Sequence, residues 1–177
     1  MKKTITLTLV ALSMIFASSA FAGSWSSILS EYQCLEVEKF SVDRDNFSNK
    51  EMERAASIPD ARLTSLQHKI VGEIVREKLL PKVTKADKSS CKGKTLVFGG
   101  QVTDYKEGNR AARIFIGLGA GKQKFEVQSY LKDKATGKVL TKKEIIDRKI
   151  GGISGGDEAK GESDFAEKVV SFVKSGK

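Results

Sequence analysis

The sequence predicts an α+β fold: a small mixed β-sheet with two helices packed on one face, in the order strand-helix-strand-strand-strand-helix. Two observations carry this expectation. Four stretches rich in strand formers alternate apolar and polar residues, and two others carry apolar stripes at helical spacing. A strand-helix-strand start also favours parallel pairing through a right-handed crossover.

The first strand is "YQCLEVEKFSV", residues 32–42, with Leu35 and Val37 facing in against Glu36 and Glu38. Its alternation slips at Phe40 and Val42, the mark of a bulge or a strand end. The polar residues 43–60 follow, with one helical turn after Asn49. Asp60 is placed to cap the next helix, where Leu63, Leu66, Ile70, Val71 and Ile74 form one stripe and Pro81 supplies the stop. His68 sits on the flank of that stripe with no nucleophile or carboxylate beside it in sequence, so it reads as a surface residue. In "KTLVFGGQVTDYKEG", Leu96, Phe98, Gly100 and Val102 share one face. The pair Gly99-Gly100 implies a bulge or the close approach of another backbone. "QKFEVQSYLKD" alternates with Phe125, Val127 and Leu131 inward, "KATG" makes a turn, and "KVLTKKEIIDRKI" returns as the other arm of a hairpin. Residues 151–163 are flexible by composition. Ser163 or Asp164 then caps a last helix striped by Phe165, Val169, Phe172 and Val173.

The start of the chain bounds its location. Lys2 and Lys3, an apolar run from Ile5 to Phe16, and Ala20-Phe21-Ala22 have the three parts of a secretory signal peptide cleaved after Ala22. Gly23 stands where a lipoprotein would need cysteine, and Cys34 is too far downstream to be lipidated. The expected product is a single periplasmic or secreted domain, residues 23–177, with flexible segments near 43–60 and 151–163 and no transmembrane helix. The whole chain has 31 basic and 22 acidic residues; without the two leader lysines the mature charge is 31 − 2 − 22, or +7. Its lysines are interleaved with acids, and export argues against nucleic acid as a partner. Cys34 and Cys91, the two cysteines, pair as one disulfide in an oxidising compartment. With the lone His68 they make no tetrahedral metal site, and no cofactor is expected.

"GNRAARIFIGLGAGK", residues 108–122, is the segment to weigh for function. It fails the nucleotide-binding loop pattern at Ile116 and Gln123, and its glycines miss the dinucleotide spacing by one residue. Two readings stay open. Glycine-freed N–H groups with Arg110, Arg113 and Lys122 could make an anion nest. Alternatively, Gly117, Gly119 and Gly121 leave a groove on one face of an extended chain, and Gly108-Asn109 form the turn before it. Exposure of Ile114-Phe115-Ile116 would mark a partner or membrane surface.

The run "GGQVTDYKEGNRAARIFIGLGAGKQKFEVQSYLKDKATGKVL", with "GGISGG" and a terminal helix after it, resembles the exported bacterial family catalogued as domain of unknown function 4410. The resemblance implies that Gly108, Arg110, Arg113, Gly117, Gly119 and Gly121 match the family's signature, and that the turn from Asp133 to Gly137 is shared. Many relatives look like lipoproteins, which this chain does not. An envelope protein of small α+β fold is implied, with no established activity.

The expected function is therefore a non-enzymatic periplasmic or envelope binding or assembly module. Its partner would be an envelope protein or an anionic lipid or glycan, met through Gly108, Asn109, Arg110, Arg113, Phe115, Gly117, Gly119, Gly121 and Lys122, with peripheral membrane contact admissible. The alternative is an anion or lipid-headgroup binder, for phosphate or lipopolysaccharide, through the same 108–122 segment. A glycan hydrolase would need two carboxylates across a cleft. Asp104 and Glu107 border the segment, and a catalytic acid there should line a pocket with a raised pKa.

Overall fold

The computed structural model describes residues 24–88, 90–107, 124–148 and 158–177. The expected leader and the whole 108–122 segment lie outside the described residues, as does the stretch 149–157. Among the described residues five strands form one sheet: β1 (Cys34–Val37), β2 (Lys82–Lys85), β3 (Thr95–Lys106), β4 (Lys124–Asp133) and β5 (Val139–Asp147), in the order β2-β1-β3-β4-β5. β1 runs parallel to both β2 and β3, as the strand-helix-strand start predicts, and β3, β4 and β5 form an antiparallel meander. Among the described residues four α-helices accompany the sheet: α1 (Trp25–Ser30), α2 (Lys50–Ala56), α3 (Asp60–Arg76) and α4 (Glu158–Ser175).

The core lies between one sheet face and the helices α3 and α4. Leu63, Leu66, Ile70 and Ile74 of α3 and Phe165, Val169, Phe172 and Val173 of α4 are buried with Leu35, Val37, Leu96, Phe98, Val102, Val127 and Leu131 of the strands. Each such side chain contributes about 1.5–3 kcal/mol by leaving water. Aromatic rings join the layers edge to face: Phe125 and Phe165 at 4.7 Å, and Phe40 and Phe165 at 5.9 Å between centroids. α1 is joined to the end of α4, where the Trp25 indole N–H donates to the Val173 carbonyl at 2.8 Å.

Several details differ from the sequence-based order, which lacks α1, α2 and β2. α3 begins after Pro59 without a side-chain cap, and Asp60 instead pairs with Lys39 and Arg44. It ends at Arg76, and Lys78 takes a left-handed φ of 52° before Pro81 is reached. α4 begins at Glu158, upstream of the expected cap. The stretch 43–60 contains α2, and Arg44 ties its two ends by donating to the carbonyls of Ala56 and Ile58. Glu36 faces away from the helices as expected, yet it is buried, with the Lys134 ammonium 2.6 Å away. The predicted disulfide Cys34–Cys91 is present, with 5.9 Å between Cα atoms.

Gly99 and Gly100 answer to close approach. A Cβ on Gly100 would sit 2.7 Å from both the Gln128 carbonyl oxygen and Val127 Cγ1. One on Gly99 would meet the Tyr130 hydroxyl and Glu38 carboxylate, which are ends of side chains. The β-bulge lies further on, between Val102 and Asp104. Because backbone cannot step aside as a side-chain end can, Gly100→Ala is expected to cost about 2 kcal/mol and Gly99→Ala about half that. Urea denaturation of the two variants measures the difference.

Candidate functional site

The expected site residues Gly108, Asn109, Arg110, Arg113, Phe115, Gly117, Gly119, Gly121 and Lys122 all lie outside the described residues. The structure does describe the platform from which that segment departs and to which it returns. β3 and β4 are paired as far as Lys106 and Lys124, so residues 107–123 connect two adjacent strand ends. Phe125 of β4 pairs with Asp147 at the end of β5, and so the connection from β5 to α4 leaves from the same edge. Both glycine-rich stretches of the sequence thus depart from one end of the sheet.

That end is held by charge. The bulge after Val102 restores the register at Asp104, which lies opposite Glu126. Asp104 is fully buried. Arg54 of α2 grips it with two hydrogen bonds, Nε to Oδ1 and Nη2 to Oδ2, each 2.9 Å. Lys124, the first residue of β4, donates to Oδ2 at 2.7 Å and also pairs with Glu126 at 2.8 Å. Arg148 reaches Glu126 from beyond β5 at 3.3 Å, and Glu51 accepts from the same Arg54 Nη2 at 3.0 Å. One network therefore ties α2, β3, β4 and the residue after β5.

The protonation states follow. Burial pushes the Asp104 carboxyl up, but the hydrogen bonds and charges of Arg54 and Lys124 outweigh it and hold it below its usual value. Lys124 is raised by its bonds to Asp104 and then to Glu126. Asp104, one of the two acids that border the segment, is thus held ionised, the opposite of what a general acid requires.

A second set of ties lies on the helix side of the same end. Glu162 of α4 accepts from the Ser65 hydroxyl at 2.8 Å and pairs with Arg62 of α3 at 3.0 Å. Lys168 donates to Asp147 at 2.8 Å. Arg62, Glu162, Tyr105, Phe125, Asp147 and Phe165 line a small depression there. Among the described residues no three metal-ligating side chains are grouped. No described helix is long and apolar enough to cross a membrane.

His68 is exposed on α3, and the Lys85 ammonium lies 2.6 Å from its Nε2. At the opposite end of the sheet, Asp133 begins the β4–β5 turn. It accepts from the N–H and hydroxyl of Thr136 at 2.8 Å each and from the Tyr32 hydroxyl at 3.1 Å. Burial and the bond to Asp133 push the Tyr32 hydroxyl up to about 12. These are structural ties of the turn, distant from the platform.

Arg54, Lys124, Glu126 and Arg148 escaped sequence reasoning. Arg54 and Asp104 are separated by 50 residues, and nothing local links them.

The family model described as domain of unknown function, DUF4410, matches residues 33–151. No curated protein matches the chain. The PelC dodecamer of Paraburkholderia phytofirmans in its P6 crystal form is 14% identical, with 82% of this chain and 89% of that one covered and a TM-score of 0.53. A substituted form in C2 gives 16% identity, 83% and 90% coverage, and a TM-score of 0.52. A Xanthomonas campestris protein of family model DUF330 is 12% identical over 81% of this chain and 80% of its own, with a TM-score of 0.45. The likeness to PelC is one of fold.

Proposed function

We propose that this chain, which belongs to the family of domain of unknown function DUF4410, is a non-enzymatic binding or assembly module of the bacterial envelope. It meets its partner through the 108–122 segment. The observation that carries this reading is the platform: the strand ends on either side of the segment are fixed by the buried Asp104 and its partners Arg54 and Lys124. A surface presented from a fixed root loses less entropy on binding than one presented from a loose root. The disulfide and the leader-like start support export to the periplasm as a soluble protein. The partner is an envelope protein or an anionic lipid or glycan. PelC, a fold relative, forms a dodecamer, so a second copy of the chain is among the partners to be tested.

Phe115→Asp and the pair Arg110→Ala/Arg113→Ala separate the possibilities. Phe115→Asp is expected to abolish partner capture from an envelope extract while leaving the unfolding midpoint unchanged. Loss of stability with no loss of an interaction would show that the segment serves folding. A second reading, an anion or lipid-headgroup site, rests on Arg110, Arg113 and Lys122 in one short segment. It requires that the double arginine variant lose binding to lipopolysaccharide or phosphatidylglycerol vesicles, and that salt weaken the wild-type binding steeply.

A further inference from the structure

At the opposite edge of the sheet from β5, β2 is hydrogen-bonded among the described residues on one side only, to β1. The described residues that return from β2 to Cys91 lie over one face of the sheet. Lys82 and Thr84 share a sheet face with Cys34 and Glu36, and their side chains donate to the carbonyls of Ser90 and Lys88. The return therefore crosses that face, and among the described residues the outer edge of β2 keeps main-chain N–H and C=O groups to offer.

Two features surround this edge. Residues 77–88 hold Lys78, Lys82, Lys85 and Lys88 against two acids, Glu77 and Asp87, a net of 4 − 2, or +2. Beside them Val75, Leu79, Leu80, Pro81 and Val83 line an open hollow. Val75 is 52% exposed, among the most exposed large apolar side chains described.

We propose that the β2 edge is a docking site for an extended acidic peptide segment of a partner protein. The segment adds as a sixth strand and seats one apolar side chain in the hollow. Charge decides the occupant. A second copy of β2 would bring its own lysines to the edge, and lysines there deter such pairing. An acidic strand reverses the sign. The lysines also favour a strand over a flat membrane surface, because they lie on both faces of the sheet. Lys82 projects with Cys34 on one face, and Lys85 meets His68 of α3 on the other. A strand alternates its side chains and can serve both faces, whereas a bilayer plane cannot. This site is separate from the 108–122 segment, and its failure would leave that reading intact.

The test uses the purified chain and a short fluorescent peptide of alternating glutamate and valine, read by anisotropy. Three comparisons accompany it: a lysine–valine peptide, the glutamate–valine peptide with a central proline, and phosphatidylglycerol vesicles. Binding of the glutamate–valine peptide alone is expected, with slowed amide exchange at residues 83–85. Lys82→Glu/Lys85→Glu should weaken it about tenfold or more, as reversal of facing charges does. Val75→Asp, on an exposed site that leaves the core intact, should weaken it as well. Equal binding of the proline peptide, indifference to the charge reversal, binding of vesicles without peptide, or no binding would each overturn the proposal.

Discussion

Replacing Arg54 by methionine is expected to destabilise the protein by about 3 kcal/mol, the range for a buried charge deprived of its partner. Asp104→Asn, at the other end of the same pair, should cost less, about 2 kcal/mol. The asymmetry comes from solvent access. The Asp104 side chain has 0% exposure, so without Arg54 its charge keeps only Lys124. The Arg54 and Lys124 side chains are 39% and 27% exposed and can turn to water when Asp104 is neutral.

The pH dependence carries the same signature. In the wild type the folded pKa of Asp104 lies below its unfolded value. Its contribution is therefore complete above the ordinary aspartate range, near pKa 3.9, and is lost as pH falls from there through the folded value. In Arg54→Met one of the two groups that outweigh burial is gone, so the folded carboxyl protonates more readily and the variant loses less stability on acidification than the wild type does. The gap between the two proteins should narrow on acidification. Urea unfolding at several pH values measures it, and a gap independent of pH would place the loss in α2 packing instead.

Removal of the disulfide is expected to cost about 4 kcal/mol in the chain-entropy account. The bond links Cys34 and Cys91, 57 residues apart in sequence. Between them lie α2, α3 and β2, so the reduced chain gains freedom over the whole crossover from β1 to β3. Cys34→Ala/Cys91→Ala should unfold at a midpoint lower by about 10 °C, given the usual unfolding entropy of a domain this size. Its urea m-value should rise, because an unlinked unfolded chain exposes more surface. A loss below about 1 kcal/mol with an unchanged m-value would mean that the bond does little to restrict the unfolded chain.

The parts legible in the sequence were those whose stabilising contacts leave a periodic trace. The α3 stripe from Leu63 to Ile74 and the α4 stripe from Phe165 to Val173 are buried as their spacing predicts. The β3, β4 and β5 meander follows its alternation, and Gly100 marks a close backbone approach. What escaped was set by distant partners. β2 is four residues, KVTK, too short to alternate visibly, and it exists as a strand by pairing with β1. α2 reads as one turn because its hold on the fold is Arg54 on Asp104 across 50 residues. Glu36 looks like a solvent residue until Lys134, from the far hairpin, covers it. The candidate site divides in the same way: the glycine and arginine signature is visible in the sequence, and the charged platform that supports it is visible only in the fold.

The most direct measurement is photocrosslinking in living cells from a reactive residue at position 115, followed by mass spectrometry of the adducts. Capture of one defined envelope protein or lipid, abolished by Arg110→Ala/Arg113→Ala or by loosening the platform with Arg54→Met, is the expected result. Adducts confined to the chain's own α4, or no adduct at all, would contradict a binding role for the segment and return its glycines to the service of the fold.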